Sequence, residues 1–419
     1  MIKKIFVAAL FFRLVLSFGP YHPDLGNHLD WGIKFWSLGP KYFYENLFWQ
    51  VSWANQPPGT IYIFALMRKI YEGIFAFFWW LNLNFPVFPS NIIPFLQDRL
   101  YVLLVKLPAM AADLGMAYLI YKFVGSLRTE RWGKVAAGVF LFNPVVWYNS
   151  AVWGQTDALV NFFGLWSVYL FWRRKTLLGL TIFLFSLYFK GSLLIFLPVI
   201  LILAFKNKGV WWRKILVFVF VPILLAYLSF PFVRWMTPVP WLYHLYRDRV
   251  FGHQGNMLTA NAFNLWAAIF GVDFSKNDLG TFLGLNYKVW GQFLLALVFF
   301  PVLVNLLIKK LKFEEIFWSL ATFGFASFLF LTNMHERYLY PVFPFLTILL
   351  FLYPPLKHFY VFLSLGVFLN LYHLWYVPDI LGLRHIFVPV TIRLFSVINL
   401  IFFGWFILLF LRFLRFKKV

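Results

Sequence analysis

The string Asn333-Met334-His335-Glu336-Arg337 sets an imidazole, a carboxylate and a guanidinium side by side at the end of an apolar run. Arg337 offers a planar fork of donors that suits a phosphate or a carboxylate. His335 can hydrogen-bond the same anion, and Glu336 can orient either neighbour; a Glu336–Arg337 salt bridge at a membrane interface is the plain structural alternative. Asp24 follows Pro23 close to apolar residues, so a raised proton affinity and work as a general base are expected of it. It can equally cap a helix that runs through Trp31, Phe35 and Leu38. Lys190 is a second candidate phosphate contact, or a side chain snorkelling to water.

Three further groups carry polar chemistry. Trp153-Gly154-Gln155-Thr156-Asp157 combines an aromatic platform with an amide and a carboxylate, which is a way to hold a sugar; Asp157 can instead cap the helix that follows. Asn55-Gln56-Pro57-Pro58-Gly59 reads as a rigid turn whose amides can hydrogen-bond a sugar. His22, Asp24, His28 and Asp30 are types that ligate a divalent metal, although their spacing matches no strict signature. His335-Glu336 begins like a zinc-protease motif, but Leu339 stands where the second His belongs. Lys106 and Asp113 fall on one helix face and suit a structural ion pair or a partner contact, while Arg13 has no evident partner.

These residues need elements to bring them together, and composition says which kind. The chain is 62% hydrophobic and only 12% charged, with 57 Phe, 20 Trp and 21 Tyr in 419 residues. A water-soluble globule carries roughly a quarter charged residues. Twelve spans fit, at about 5–19, 98–121, 134–149, 157–172, 176–190, 192–205, 215–233, 288–308, 316–332, 339–353, 359–376 and 392–411. The expected fold is an all-α integral membrane protein, one domain over 1–419. Met1-Ile2-Lys3-Lys4 opens like a signal peptide, but Arg13 interrupts the apolar run and no small-residue cleavage site follows, so a retained first span is expected.

Alternating those spans sends the basic clusters to one side. They are Lys3 and Lys4; Lys122, Arg128, Arg131 and Lys134; Arg173 to Lys175; Lys206, Lys208, Arg213 and Lys214; Lys309, Lys310 and Lys312; Lys357; and Arg412, Arg415, Lys417 and Lys418. Only Glu130, Glu314 and Glu315 oppose them there. The bias makes that side cytoplasmic, with both termini inside. It accounts for the net charge of +22 without nucleic acid, because the Lys and Arg sit in short clusters between apolar runs. Two long external loops remain, at about 20–97 and 234–287, with amphipathic pieces such as Phe75 to Leu83 suited to the membrane interface. The chain has no Cys, which rules out disulfides and thiolate chemistry. With this topology the clusters around Asp24, Asn55, Asp157 and Arg337, together with Lys190, share the external face.

In this order they resemble the GT-C superfamily, multispanning glycosyltransferases that take sugars from polyprenyl-phosphate or dolichyl-phosphate donors. Asp24 with Trp31 seven residues later is similar to that family's catalytic Asp and Trp in the first outer loop. Asn55-Gln56-Pro57-Pro58-Gly59 is similar to its DYPPG-like segment, with Asn55 where relatives often have Asp. Asn143-Pro144 before Trp153 to Asp157, Lys190 before Pro198, and His335-Glu336-Arg337 before Pro341 complete the pattern from Asp24 to Pro341. The nearest look is to prokaryotic mannosyltransferase-like members. The resemblance implies a multi-pass protein of a prokaryotic plasma membrane with its active site outside. It implies an inverting hexosyltransferase, with mannose or glucose carried by a polyprenyl-phosphate donor to a lipid-linked or envelope glycan acceptor. Asp24 would be the general base. Arg337, His335 and Lys190 would bind the donor phosphate; Glu336, Asp157, Gln155, Trp153, Asn55 and Gln56 would orient it or hold the sugar. No cofactor is required in such a scheme, although a divalent metal is possible. Besides donor, acceptor and membrane lipid, no partner is implied. The competing class is a multispanning transporter or flippase for a lipid-linked sugar, for which the scattered Arg13, Lys106 and Asp113 speak.

Overall fold

Apolar runs bordered by Asn, Thr and Pro fold here as capped helices. The computed structural model describes residues 2–252 and 255–416, and among them the only strands form a two-residue hairpin, Thr281–Phe282 with Leu285–Asn286. Lys417 and Lys418 of the basic tail lie outside the described residues. The Asn143 side chain accepts a hydrogen bond from Val145 N at 2.9 Å, and Pro144 opens the next turn. The stretch expected as one span at 134–149 therefore divides into Glu130–Leu141 and Pro144–Trp153, bent by 51°. Thr129 and Asn286 cap the helices Glu130–Leu141 and Tyr287–Ile308 in the same way.

Among the described residues, five helices are long and apolar enough to cross a membrane, or six if the bent pair counts as one span. They are Ile92–Leu127, Trp211–Leu228, Tyr287–Ile308, Phe313–Phe330 and Pro389–Arg415. Their burial separates them. Phe313–Phe330 is the core helix, with every residue from Glu315 to Leu329 buried. The most apolar 18 residues of Tyr287–Ile308 have a mean hydropathy of 2.3, yet only 11% of them are buried. A helix apolar on all sides and left uncovered fits lipid, not water. Where twelve spans were expected, the remaining helices are shorter: 16 residues in Ile2–Ser17, Asp157–Trp172 and Lys357–Tyr372, 12 in Thr176–Leu187 and 11 in Val342–Leu352. Short or broken elements leave backbone ends at the level of the site, where polar side chains can gather.

The two long segments also carry helices. The first holds Leu25–Leu38 and the 27-residue Pro58–Asn84, whose second half exposes Phe77, Trp79, Trp80 and Leu83. The second holds Pro238–Leu245, Leu265–Phe270 and the hairpin. This second segment is stitched to the end of the core helix. Ala260 N donates to Met334 O at 3.0 Å, and the Asn333 side chain meets both Met257 N and Gly255 O, at 2.9 and 2.6 Å.

Beneath the site the charges pair differently from their spacing. Lys106 and Asp113 share a helix but do not meet. Asp113 accepts from Arg13 Nε at 3.0 Å, from Ser150 Oγ at 2.5 Å and from Tyr340 OH at 2.9 Å. Arg13 spends its other nitrogens on Ala9 O and Leu141 O, at 3.3 and 2.9 Å. Lys106 reaches Ser17 O at 3.4 Å. A partner on another helix wins because it completes both sides of the pair, whereas an i to i+7 neighbour is two turns away.

Breaking such a pair strands a charge in an apolar interior. Arg13→Met leaves the Asp113 carboxylate with two hydroxyl donors only, and a loss of about 3–5 kcal/mol is expected. The measurement is thermal unfolding of the purified protein in detergent; a melting temperature equal to wild type would show that the pair does not hold the helices.

Candidate active site

Arg337 sits in the single 3-10 turn Glu336–Leu339 that follows the core helix. Its guanidinium lies 3.1 Å from Glu336 Oε1, 3.7 Å from Asp157 Oδ2 and 3.9 Å from Asp24 Oδ2. It also covers the Trp153 ring, 5.3 Å from the ring centroid. Only the first contact is a hydrogen bond by distance. The cation is thus charge-compensated but loosely held, with donors to offer an anion. The Glu336–Arg337 salt bridge is present as one part of a larger cluster.

Lys190 lies in extended backbone between Thr176–Leu187 and the 3-10 turn Gly191–Phe196. Its Nζ is 2.6 Å from Asp157 Oδ1 and 5.5 Å from the centre of the Tyr338 ring. It does not snorkel; it points into the cluster. Asp157 opens the helix Asp157–Trp172, yet its carboxylate serves Lys190 and Arg337 where a capping role was the alternative.

Asp24 precedes the helix Leu25–Leu38 and makes no side-chain capping bond to it. Its Oδ1 accepts from Asn27 Nδ2 at 2.8 Å, and Oδ2 accepts from the Gln155 amide. Burial alone would raise its proton affinity, but Arg337 beside it holds the carboxyl well below the usual carboxylate range. The expected upward shift is therefore reversed: in this state Asp24 is an ion-paired carboxylate. Glu336 goes the other way. It is 1% exposed, and burial pushes it up to about 7 despite the pull of Arg337. Burial and Arg337 lower His335 to about 3, so that ring is a neutral hydrogen-bonding group.

The backbone explains how these side chains meet. Gly154 has φ +80°, and a Cβ there would meet Leu25 Cδ1 at 2.7 Å and Lys106 Cγ at 2.9 Å. Only glycine makes this turn while passing so close, and the turn aims Gln155 at Asp24. Gly59 plays the same part for the Asn55 to Gly59 segment, since a Cβ would meet the Tyr188 carbonyl oxygen at 2.7 Å. Thr60 Oγ1 then bonds Phe189 O at 2.6 Å, which fixes that turn beside Lys190.

These groups surround one cavity of about 580 Å³. Asp24, Asn55, Gln56, Gln155, Asp157, Lys190, His335 and Arg337 all line it. Glu336 and Trp153 are not on its wall. Trp153 is fully buried, with His22 stacked on it at 3.9 Å, so its faces are already taken by an imidazole and a guanidinium. It supports the cation and is no open sugar platform. The wall also has apolar members, among them Leu194, Ile195, Phe251, Phe328 and Leu331. Tyr338, Ser192, Phe251 and Trp375 also line the cavity and carry no signal in the sequence, because neither spacing nor charge marks them out.

The four possible metal ligands do not converge. His22 Nδ1 accepts from Asp24 N at 3.0 Å and its ring lies between Trp153 and Trp375. His28 stacks on Phe64 at 4.4 Å, and Asp30 accepts from Gln50 N at 3.1 Å. Burial lowers His22 to about 3 and His28 to about 4. Among the described residues no group of three or more such side chains is placed to hold a metal ion.

Glu336 gives the site a pH dependence. It titrates near 7 in this position, and each carboxylate that stays ionised competes with an incoming anion for Arg337. Lowering the pH through 7 protonates Glu336 and removes one competitor. A non-titrating phosphodiester such as dodecyl methyl phosphate should bind severalfold more tightly at pH 6 than at pH 8, and Glu336→Gln should flatten that difference. Calorimetric titration at the two pH values reads it; an unchanged slope in Glu336→Gln would remove Glu336 as its source.

Neither the models of known protein families nor the curated proteins contain a match to this chain.

Proposed function

We propose that this chain is an inverting glycosyltransferase that moves a hexose from a polyprenyl-phosphate donor to a hydroxyl of a lipid-linked or glycan acceptor. The observation that carries the reading is the meeting of Asp24 with Arg337, 3.9 Å apart on the wall of one cavity lined by both charged and apolar side chains. A lipid-linked phosphate sugar presents both kinds of surface. Buried polar atoms without a hydrogen-bond partner also gather in the lining residues, among them Gln155 Oε1, Asp157 Oδ2 and Ser192 Oγ. Such atoms are costly unless a ligand completes them.

In this scheme the donor phosphate takes the guanidinium of Arg337 and the ammonium of Lys190, with the His335 ring as a neutral contact. Drawing Arg337 toward the phosphate frees Asp24 from its ion pair and restores its basicity. Asp24 then accepts the proton of the acceptor hydroxyl as that oxygen bonds to the anomeric carbon. The bond from that carbon to the phosphate oxygen breaks, and its electron pair stays on the phosphate. The cations stabilise the charge that builds there. A single displacement of this kind inverts the anomeric centre, and a phosphate leaving group needs no second carboxylic acid. Twelve spans, cytoplasmic termini, an external site and a prokaryotic plasma membrane belong to the same proposal.

Transport of a lipid-linked sugar is the competing reading. Its best support in the sequence is the scatter of Arg13, Lys106 and Asp113. All three are fully buried, with Arg13 and Asp113 bound to each other, and none lines the cavity.

Asp24→Asn keeps the size of the side chain while removing the base; one of its two acceptor oxygens becomes a donor, which the otherwise unpartnered Gln155 Oε1 can accept once that amide flips. Transfer of label from a polyprenyl-phosphate hexose in detergent should fall by roughly 10²–10⁴, with the melting temperature unchanged. Near-normal transfer in that variant would take Asp24 out of the chemistry. Label that crosses a vesicle membrane without entering a glycan or lipid would favour transport.

A further inference from the structure

Asp113 is fully buried beneath the cavity, and its three donors come from three separate stretches of chain. Two of those stretches end in groups that touch Asp24. Tyr340, which bonds Asp113 Oδ1, is held to Arg337 by Tyr340 N donating to Arg337 O at 2.9 Å. Ser150, which meets Asp113 Oδ2, lies in the π-helical turn Tyr148–Trp153. The amides of Gly154 and Gln155 both close that turn on Asn149 O at 3.0 Å. The third donor, Arg13, anchors Ile2–Ser17, the helix that leads to Asp24. Arg337 and Gln155 approach the same oxygen of Asp24, Oδ2. Each therefore takes its direction from a short, hydrogen-bonded turn whose far end is fixed on one carboxylate.

We propose that Asp113 is the positioning residue of this pocket: through Tyr340 and Ser150 it sets the angles from which Arg337 and Gln155 reach Asp24. Lys106, on the same helix as Asp113, adds a second point of support, since its stem fills the space against Gly154. The members of this network are 0–1% exposed and none lines the cavity, so they act on a ligand only through Arg337 and Gln155. The role rests on the reading of the cavity as a phosphate site, and the test separates the two.

Dodecyl methyl phosphate is titrated into the purified full-length protein in detergent, and affinity is read by calorimetry beside the melting temperature. Wild type binds, and Arg337→Gln does not; equal binding by these two overturns the phosphate site itself. Tyr340→Phe removes one hydroxyl without changing shape. It should weaken binding roughly tenfold, the size of one lost hydrogen bond in a buried network, while the melting temperature stays within about 3 °C. Ser150→Ala is expected to behave in the same way and gives a second reading where Tyr340→Phe fails to fold. Tyr360→Phe is the control. It removes another buried hydroxyl, one that bonds Asn143 and Thr347 away from the site, and should leave affinity unchanged. If Arg337→Gln abolishes binding while Tyr340→Phe and Ser150→Ala bind within about twofold of wild type, a margin too small for a lost hydrogen bond, Asp113 holds the fold and does not aim the site.

Discussion

One guanidinium shared among three carboxylates, in a chain that can barely accommodate charge, sets the terms for everything around it. Arg337 and Lys190 face Asp24, Asp157 and Glu336, so the cluster carries one negative charge in excess when all are ionised. Burial resolves the excess at its most enclosed member, Glu336, whose affinity for a proton rises to about 7. Asp24 is relieved in the opposite direction because Arg337 favours its ionised form. Two acids beside one cation thereby behave in opposite ways, because burial wins over Arg337 at Glu336 and Arg337 wins over burial at Asp24. An anion entering the cavity adds to the negative side of this balance, so it must displace a carboxylate from Arg337 or bring a proton to Glu336. Either response returns proton affinity to a carboxylate beside the bound anion.

Another buried arginine–carboxylate pair joins Arg13 to Asp113, and the contrast shows why the first can work. Arg13 makes contacts of 3.0, 3.3 and 2.9 Å, is fully buried and does not line the cavity. Asp113 meets three donors. Every demand is met internally, and such a pair holds helices in register. Arg337 makes one contact of hydrogen-bond length and two at 3.7 and 3.9 Å, next to a cavity. Its partners compensate its charge without saturating its donors. The residue types are the same in both places. The difference of less than one ångström separates a lock from a site.

Much of this is legible in the residue types and their order. Composition alone points to a lipid-facing helical chain, and the uncovered apolar helix Tyr287–Ile308 agrees with it. Placing the odd charges on one side of alternating spans gathers Asp24, Asp157, Lys190 and Arg337 together, and these four do line a common cavity. What the sequence hides is relational. The spacing of Lys106 and Asp113 suggests a pair, but Asp113 is claimed by Arg13 from another helix. The sign of the Asp24 shift depends on a cation hundreds of residues later in the chain. Trp153 reads as an open platform until His22 and Arg337 are seen to occupy its faces. The helix-breaking at Asn143-Pro144 is written plainly, yet apolar flanks on both sides make a 51° bend look like one span.

The second long segment has a consequence for how the cavity is assembled. Residues 255–261 bond to residues 333–335, so the turn that presents Arg337 is gripped on one side by that segment and on another by Tyr340 on Asp113. Earlier in the same segment, Phe251 lies against Gly191, where a Cβ would come within 2.6 Å of its ring. That contact brings an apolar side chain over the backbone next to Lys190. The cationic members of the lining, Lys190 and Arg337, stand in short connections at helix ends. The apolar lining includes Phe251, the last residue of the π-helical turn Tyr246–Phe251, which depends on one glycine for its seat. Substituents that enlarge position 191 would act on this apolar part of the lining first, because the ring of Phe251 stands where the new side chain would go and would have to withdraw.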